Sequence, residues 1–481
     1  MPEKTLSQGP KIGLFTLIMI SAALVIAVRG FPTEAVTGYH MLFFCITAGL
    51  LFFLPVGLVS AELATGWPEE GGVYVWAKEA FGERIGFLCI WWQWFFMMLL
   101  SVAILFFLGG SLAYIFRPSL ATNRPFLIAV LCLVIWGATI INLRGMKASS
   151  TMSTVGFLGG VLLPALLIIL LGVVHLVQGK PVAFDMSFSL SSVVPDFREI
   201  GSFVMLLTFM MMFFGIEASA SHAAEVRNPK RSFPIAIFVV LIINFLINIM
   251  GSLSVAAVVP AEEMSLISGL MEAFERFFGE FGLAWLVKPA AFLVVLGAIG
   301  QIITWCLGPI KGISADARQG GLPPFFQKEN HRGVPVRLLV LQAGIITVVG
   351  CTLLVMPNLN SAFWAANALA VSVYMFMYGA LMLSGIQLRY KRPEVPRSFR
   401  VPGRGNSGMW VICIACLGMI LLAIGLAIIP PPELNFARPG QFAVLVVCTQ
   451  VVTILLPLLI FHRRKPEWNI SESLPEQGGE A

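Results

Sequence analysis

The chain has 481 residues, of which 58% are hydrophobic and only 12% charged, with 38 phenylalanines and a formal charge of +6. A soluble fold of this length needs far more polar surface, so the composition excludes one and points to a polytopic membrane protein. The positive charge does not mark a nucleic-acid binder, because Lys and Arg are spread over short segments between apolar runs.

Hydropathy predicts twelve membrane spans, at 12–38, 41–65, 85–116, 125–143, 154–177, 201–224, 234–259, 288–316, 336–356, 361–387, 408–430 and 440–462. Residues 1–11 form a polar N-terminal segment, and the run from Leu14 continues without a small-residue cleavage site, so the first span is expected to stay in the mature protein. Turn signals such as Trp67-Pro68-Glu69-Glu70-Gly71-Gly72 and Gly320-Gly321-Leu322-Pro323-Pro324 separate the spans.

The first span holds Ser21-Ala22-Ala23-Leu24 and then Arg29-Gly30-Phe31-Pro32. Arg29 keeps its proton, so it requires a carboxylate, a helix C-terminal carbonyl or water. Facing a cavity it favours anionic solutes, and snorkelling outward it is only an anchor. The sixth span carries Met211, Phe214, Gly215 and Glu217, the last a carboxylate that must pair, meet water or hold a proton inside a membrane.

Five spans separate the starts of these two segments, which places them at corresponding positions of inverted five-helix repeats, 12–177 and 201–387. Two additional spans at 408–462 and a short tail, 463–481, complete the plan. Paired broken helices expose amides and carbonyls at mid-membrane, a pattern that suits the two ends of a zwitterionic amino acid.

Between spans seven and eight, Leu266, Leu270, Met271, Phe274, Phe277 and Phe278 recur at helical spacing among glutamates, predicting a short helix lying on the outer face of the bundle. The eighth span again carries groups that lipid does not satisfy: Gln301 and Trp305 one turn apart, then Gly308 and Pro309. Interhelical packing and contact with a solute both account for Gln301 and Trp305. Tyr374 and Tyr378 repeat the one-turn spacing in the tenth span, and both hydroxyls need partners.

The clusters Arg227, Lys230, Arg231; Arg389, Lys391, Arg392, Arg397, Arg400, Arg404; and Arg463, Arg464, Lys465 all fall on one side when both termini are cytoplasmic, which sets the expected orientation. All eight cysteines lie in apolar spans, and Cys413-x-x-Cys416 has no second pair or nearby histidine, so neither disulfide nor metal is expected. No nucleophile, metal cluster or nucleotide loop stands out, and no enzyme activity or cofactor is expected.

Across nearly its whole length the chain resembles the amino acid/polyamine/organocation transporter superfamily, and most of all the bacterial glutamate/gamma-aminobutyrate antiporter group. The matching stretches are Phe31-Pro-Thr33, Leu54-Pro-Val-Gly-Leu-Val-Ser-Ala-Glu-Leu-Ala-Thr65, Trp67-Pro-Glu-Glu-Gly-Gly-Val-Tyr-Val-Trp76, Gly215-Ile-Glu-Ala-Ser-Ala-Ser-His222, Glu225-Val-Arg-Asn-Pro-Lys230 and Gly308-Pro-Ile-Lys-Gly312. The resemblance implies a LeuT-like fold of two inverted five-helix halves and two peripheral helices.

It also implies exchange of free amino acids or related amines across a bacterial inner membrane by a monomer or homodimer whose other partners are lipids. By that resemblance the unwound parts, near Ser21 to Leu24 and Met211 to Gly215, bind the substrate's backbone groups. Glu217 matches a carboxylate just beyond the second break, Trp305 an aromatic of span eight, and Tyr374 and Tyr378 tyrosines of the pathway.

The chain departs from the glutamate exchangers in three places. Arg29 and Gly30 replace a tyrosine and a glutamate, Gln301 replaces a glutamate, and the short tail implies no long C-terminal plug. The expected activity is antiport by alternating access, on an acidic, neutral or gamma-amino acid. Its rivals are symport, with Thr154 and Thr304 as a hydroxyl-lined region, and a non-transporting nutrient receptor.

Overall fold

The computed structural model describes residues 13–69, 71–144, 155–184, 187–219, 226–432, 434 and 438–469. Twelve helical segments are long and apolar enough to cross a membrane, numbered here in chain order. Spans 1 to 6 are Leu14–Ala35, His40–Gly66, Glu83–Phe116, Arg124–Leu143, Val155–Val177 and Ile200–Ala218. Spans 7 to 12 are Lys230–Val258, Ala284–Cys306, Val336–Leu354, Leu359–Lys391, Ser407–Leu426 and Pro439–His462. The chain is an all-α polytopic membrane protein. Among the described residues the extended pairings are isolated bridges, Gln319 with Asn469 and Glu329 with Pro335.

Spans 3, 6 and 10 are the most enclosed and span 12 the least. The outward side chains of span 12, among them Val444, Val451, Leu455 and Leu459, are apolar, as a lipid-facing helix requires. In the interior, spans 5 and 8 cross where Gly156 faces Gly300 and Gly160 faces Gly297; any Cβ at these positions would meet the opposite backbone. Such close approach is how membrane helices gain packing energy when lipid is as apolar as their own side chains.

Spans 1 and 6 both lose regular helical bonding. In span 1 the helix Leu14–Val25 ends, Ile26 and Ala27 are extended, a 3-10 turn runs from Val28 to Gly30, and a second helix covers Phe31–Ala35. Pro32 sits in the first turn of that helix, where its missing N–H costs nothing.

In span 6 the helix Leu206–Met211 gives way to turns at Met212 to Gly215 before Ile216–Ser219. Gly215 has φ +105°, a conformation that a side chain would strain. The freed Met212 carbonyl accepts from the Asn244 side chain of span 7 at 3.2 Å, so the break is satisfied inside protein.

The structure shifts the first break from the place that the resemblance implies. Ser21 to Leu24 lie within regular helix, and the unwinding comes at Ile26 and Ala27, just past the stretch where the resemblance implies it. Span 8 belongs to one continuous helix, Val287–Arg318, which runs through Pro309. A proline in a membrane helix is tolerated when neighbouring helices re-satisfy the lost bond. Spans 2 and 5 show another accommodation: π-turns at Gly49–Phe53 and Leu158–Leu162 precede Pro55 and Pro164.

The amphipathic helix expected between spans 7 and 8 is present as Gly269–Glu280. Its Leu270, Met271, Phe274 and Phe277 are buried, and Gly269 packs beside Pro32 of span 1. It therefore braces the second half of the first broken span.

Candidate functional site

The two breaks face each other. A Cβ on Gly215 would come 3.0 Å from the Leu24 carbonyl oxygen and 3.5 Å from the Trp305 ring, so glycine at this position lets spans 1, 6 and 8 converge. Beside this point lies a narrow cavity. Span 1 contributes Leu24, Val25, Ala27, Arg29, Gly30 and Glu34 to its wall. Phe96 and Leu100 come from span 3, Thr208, Met211, Met212 and Phe214 from span 6, and Gln301 and Trp305 from span 8.

Helical spacing explains why these groups meet. Gln301 and Trp305 share a face, and so do Phe96 and Leu100, each pair one turn apart. In span 6 the turn geometry after Met211 swings Phe214 toward span 3, where its ring meets Phe96 at 5.7 Å. Trp305 approaches the same Phe96 edge-on at 6.1 Å, which completes an aromatic wall along one side of the cavity.

Behind that wall sits a closed polar knot. Glu217 is buried and accepts from Tyr374 at 2.6 Å, from Tyr378 at 2.8 Å and from the Gly215 amide at 3.2 Å. The Gly215 amide also approaches the Tyr378 oxygen at 3.4 Å, and the Gln93 side chain donates to Tyr374 at 3.4 Å. Phe96 lies flat against Tyr374, with ring centroids 3.9 Å apart and planes 7° from parallel. The knot thus ties the span 6 break to span 10 and backs it with span 3. Three donors around one carboxylate are what a buried acid needs in place of water.

The expected site residues divide into groups. Leu24, Arg29, Met211, Phe214, Gln301 and Trp305 line the cavity. Gly215, Glu217, Tyr374 and Tyr378 form the knot behind it. Ser21 and Ala22 are buried in helical packing, whereas Ala23 is exposed. Thr304 donates to the Gly300 carbonyl at 2.8 Å, a bond within its own helix. Thr154 and His222 lie outside the described residues.

Sequence reasoning passed over Glu34, Asn244, Thr208 and Phe96. Glu34 is the most consequential: its side chain is buried, and Oε2 accepts from Ser252 of span 7 at 2.8 Å. The available signal was a carboxylate within the same short stretch as Arg29, just after a proline that restarts the helix. Asn244 also carried a signal, as an amide in the middle of an otherwise apolar run.

Comparisons with known proteins agree with this architecture. The family model described as amino acid permease matches residues 12–455. An uncharacterized transporter of Legionella pneumophila subsp. pneumophila is 34% identical over 467 residues, covering 96% of this chain and 98% of that protein. A glutamate/gamma-aminobutyrate antiporter of Lactococcus lactis subsp. lactis is 32% identical over 458 residues, covering 94% and 90%. A probable agmatine/putrescine antiporter of Lactococcus lactis subsp. lactis is 26% identical over 420 residues, covering 86% and 87%.

Proposed function

Because the chain belongs to the amino acid permease family, a family of membrane transporters, we propose that it is an antiporter exchanging a free amino acid for a related amino acid or amine. The observation that carries this reading is the meeting of two broken spans beside one cavity, with backbone groups and Arg29, Glu34, Gln301 and Trp305 at its wall. The names of the Lactococcus relatives, antiporters of amino acids and amines, support the same solute class.

In this mechanism the substrate carboxylate and ammonium are held at the two breaks, where helix ends present amides and carbonyls without regular partners. Rocking of the bundle then opens the opposite face. The Glu217 knot couples the two events: it ties the Gly215 amide, next to the substrate, to the two tyrosines of span 10. Substrate contact at Gly215 and movement of span 10 share one hydrogen-bond network. The loaded carrier crosses more readily than the empty one, so flux in one direction requires a solute to return.

The proposed setting is a bacterial cell membrane with both termini cytoplasmic, as the distribution of basic residues favours. Proteoliposomes test the activity. Labelled amino acid should enter vesicles loaded with unlabelled amino acid and fail to accumulate in vesicles holding buffer alone. Equal uptake in both would contradict exchange, and uptake no greater than in protein-free vesicles would contradict transport.

A further inference from the structure

Arg29 and Glu34 bring opposite charges to one cavity wall, yet no ion pair between them is found among the described residues. Each keeps a buried polar atom without a partner: Nε of Arg29 and Oε1 of Glu34. Glu34 is held in place from behind by Ser252, at 2.8 Å, which leaves Oε1 as its free acceptor. Gly30 makes room for that oxygen, since a Cβ there would approach it to 2.6 Å. A cation and an anion fixed in one small chamber, each incompletely bonded, call for an occupant that both donates and accepts.

Charge arithmetic narrows the occupant. Leu24 and Met211 at the breaks line the same cavity as Arg29 and Glu34, so an amino acid held at the breaks by its ammonium and carboxylate would have these two charged groups within reach of its side chain. An acidic side chain satisfies Arg29 but meets Glu34 as a like charge. A basic one satisfies Glu34 and meets Arg29. A carboxamide answers both, its carbonyl accepting from the guanidinium and its NH₂ donating to the carboxylate.

We propose that this chamber selects amino acids with a carboxamide side chain, read by Arg29 and Glu34 together. The proposal rests on the amino acid exchanger reading and names the substrate class of that same site. Glu34 is a specificity-determining residue here, and Gly30 is the small residue that lets it reach the chamber.

Proteoliposomes carrying internal amino acids are used to compare entry of labelled glutamine, glutamate and lysine, for the natural chain and for Glu34→Gln and Arg29→Gln. The natural chain is expected to favour glutamine over glutamate and over lysine by about tenfold or more. Glu34→Gln should shift the preference toward glutamate by about tenfold, and Arg29→Gln should shift it toward lysine. A natural chain that prefers glutamate or lysine overturns the proposal, and this needs no variant to fold. So does a Glu34→Gln protein that folds and keeps the natural glutamine-to-glutamate ratio. In both cases amino acids still exchange, so the exchanger reading survives. Absence of any amino acid flux removes both.

Discussion

Glu217 shows how one residue can hold a break together. Replacing it with alanine leaves two tyrosine hydroxyls buried without their acceptor and the Gly215 amide with only its longer approach to Tyr378, at a cost of about 1–3 kcal/mol for each group left unpaired. Glu217→Gln keeps one carbonyl oxygen and should lose less. Thermal unfolding in detergent should therefore rank the natural chain above Glu217→Gln and Glu217→Ala lowest. Equal melting of all three would mean that the knot carries no stability. Gly215→Ala is a separate test of backbone strain: φ +105° and the Leu24 carbonyl at 3.0 Å from a Cβ both oppose it. A loss of about 1–3 kcal/mol is expected, with slower exchange in the protein that remains folded.

Glu280 lies outside the spans, at the end of the crossing helix, where it bonds His175 at 2.9 Å and Lys180 at 2.9 Å. Burial pushes its carboxyl up, but these two partners outweigh burial and hold it below the usual 4.5. The folded form thus prefers the ionised group. Its contribution is fully present above about pH 4.5 and is lost as pH falls through the lower folded value. The melting difference between the natural chain and Glu280→Gln should follow that course. A difference that grows on acidification would contradict the assignment.

At the scale of elements, the discontinuous spans depend on neighbours that supply what the helix gives up. Asn244 of span 7 serves the Met212 carbonyl and itself stands one turn from Asn248, whose amide donates to the Asn244 side-chain oxygen at 2.8 Å. Asn244→Leu removes the donor and leaves the carbonyl in an apolar setting, so about 1–3 kcal/mol of stability should go with it. Hydrogen exchange at Phe213 to Ile216 would localise the loss to the break, and unchanged protection there would argue against this role.

The same elements show what a sequence can disclose. Span positions were legible because lipid demands long apolar runs, and ends differ from expectation by a few residues because helices outrun the bilayer. The crossing helix was legible from phenylalanines at helical spacing. Its glutamates marked the opposite face.

The position of the first break was less legible. The resemblance implies it near Ser21 to Leu24, but small side chains also suit close helix packing, and Ser21 and Ala22 pack in this way. Extended backbone at Ile26 and Ala27 has no comparable mark. Glycine and proline in span 8 do not interrupt its helix, which runs on to Arg318. Glu34 escaped notice since its burial depends on Ser252, a contact distant in sequence.

For the whole molecule, a buried ion pair fastens span 2 to span 10 at the end where the loop after span 10 folds back. Glu62 of span 2 meets Arg389 of span 10 through two bonds, at 2.9 and 2.6 Å, and also accepts from the Val401 amide at 2.7 Å. Arg397 lies 3.8 Å from the same carboxylate. Both members of the central pair are almost fully enclosed. Removing one charge strands the other, so Glu62→Ala should cost about 3–5 kcal/mol. Adding Arg389→Met should recover part of that, because it removes the stranded guanidinium of the closest pair and leaves Arg397 as the remaining charge beside the site. Melting of the two variants in detergent decides this, and a double variant weaker than Glu62→Ala would show the pair to be more than a mutual neutraliser.

The account as a whole depends on water and solute reaching the chamber between spans 1 and 6. Thr208 lies on its wall, buried among apolar neighbours. A cysteine placed there by Thr208→Cys, reacted in purified protein with a small water-soluble thiol reagent and located by mass spectrometry, measures that access directly. Labelling that is slowed by a transported amino acid is the predicted result. A Thr208→Cys protein that stays unlabelled while a control Glu262→Cys protein, altered at an exposed loop position, reacts, or that reacts equally with and without amino acid, would contradict the account.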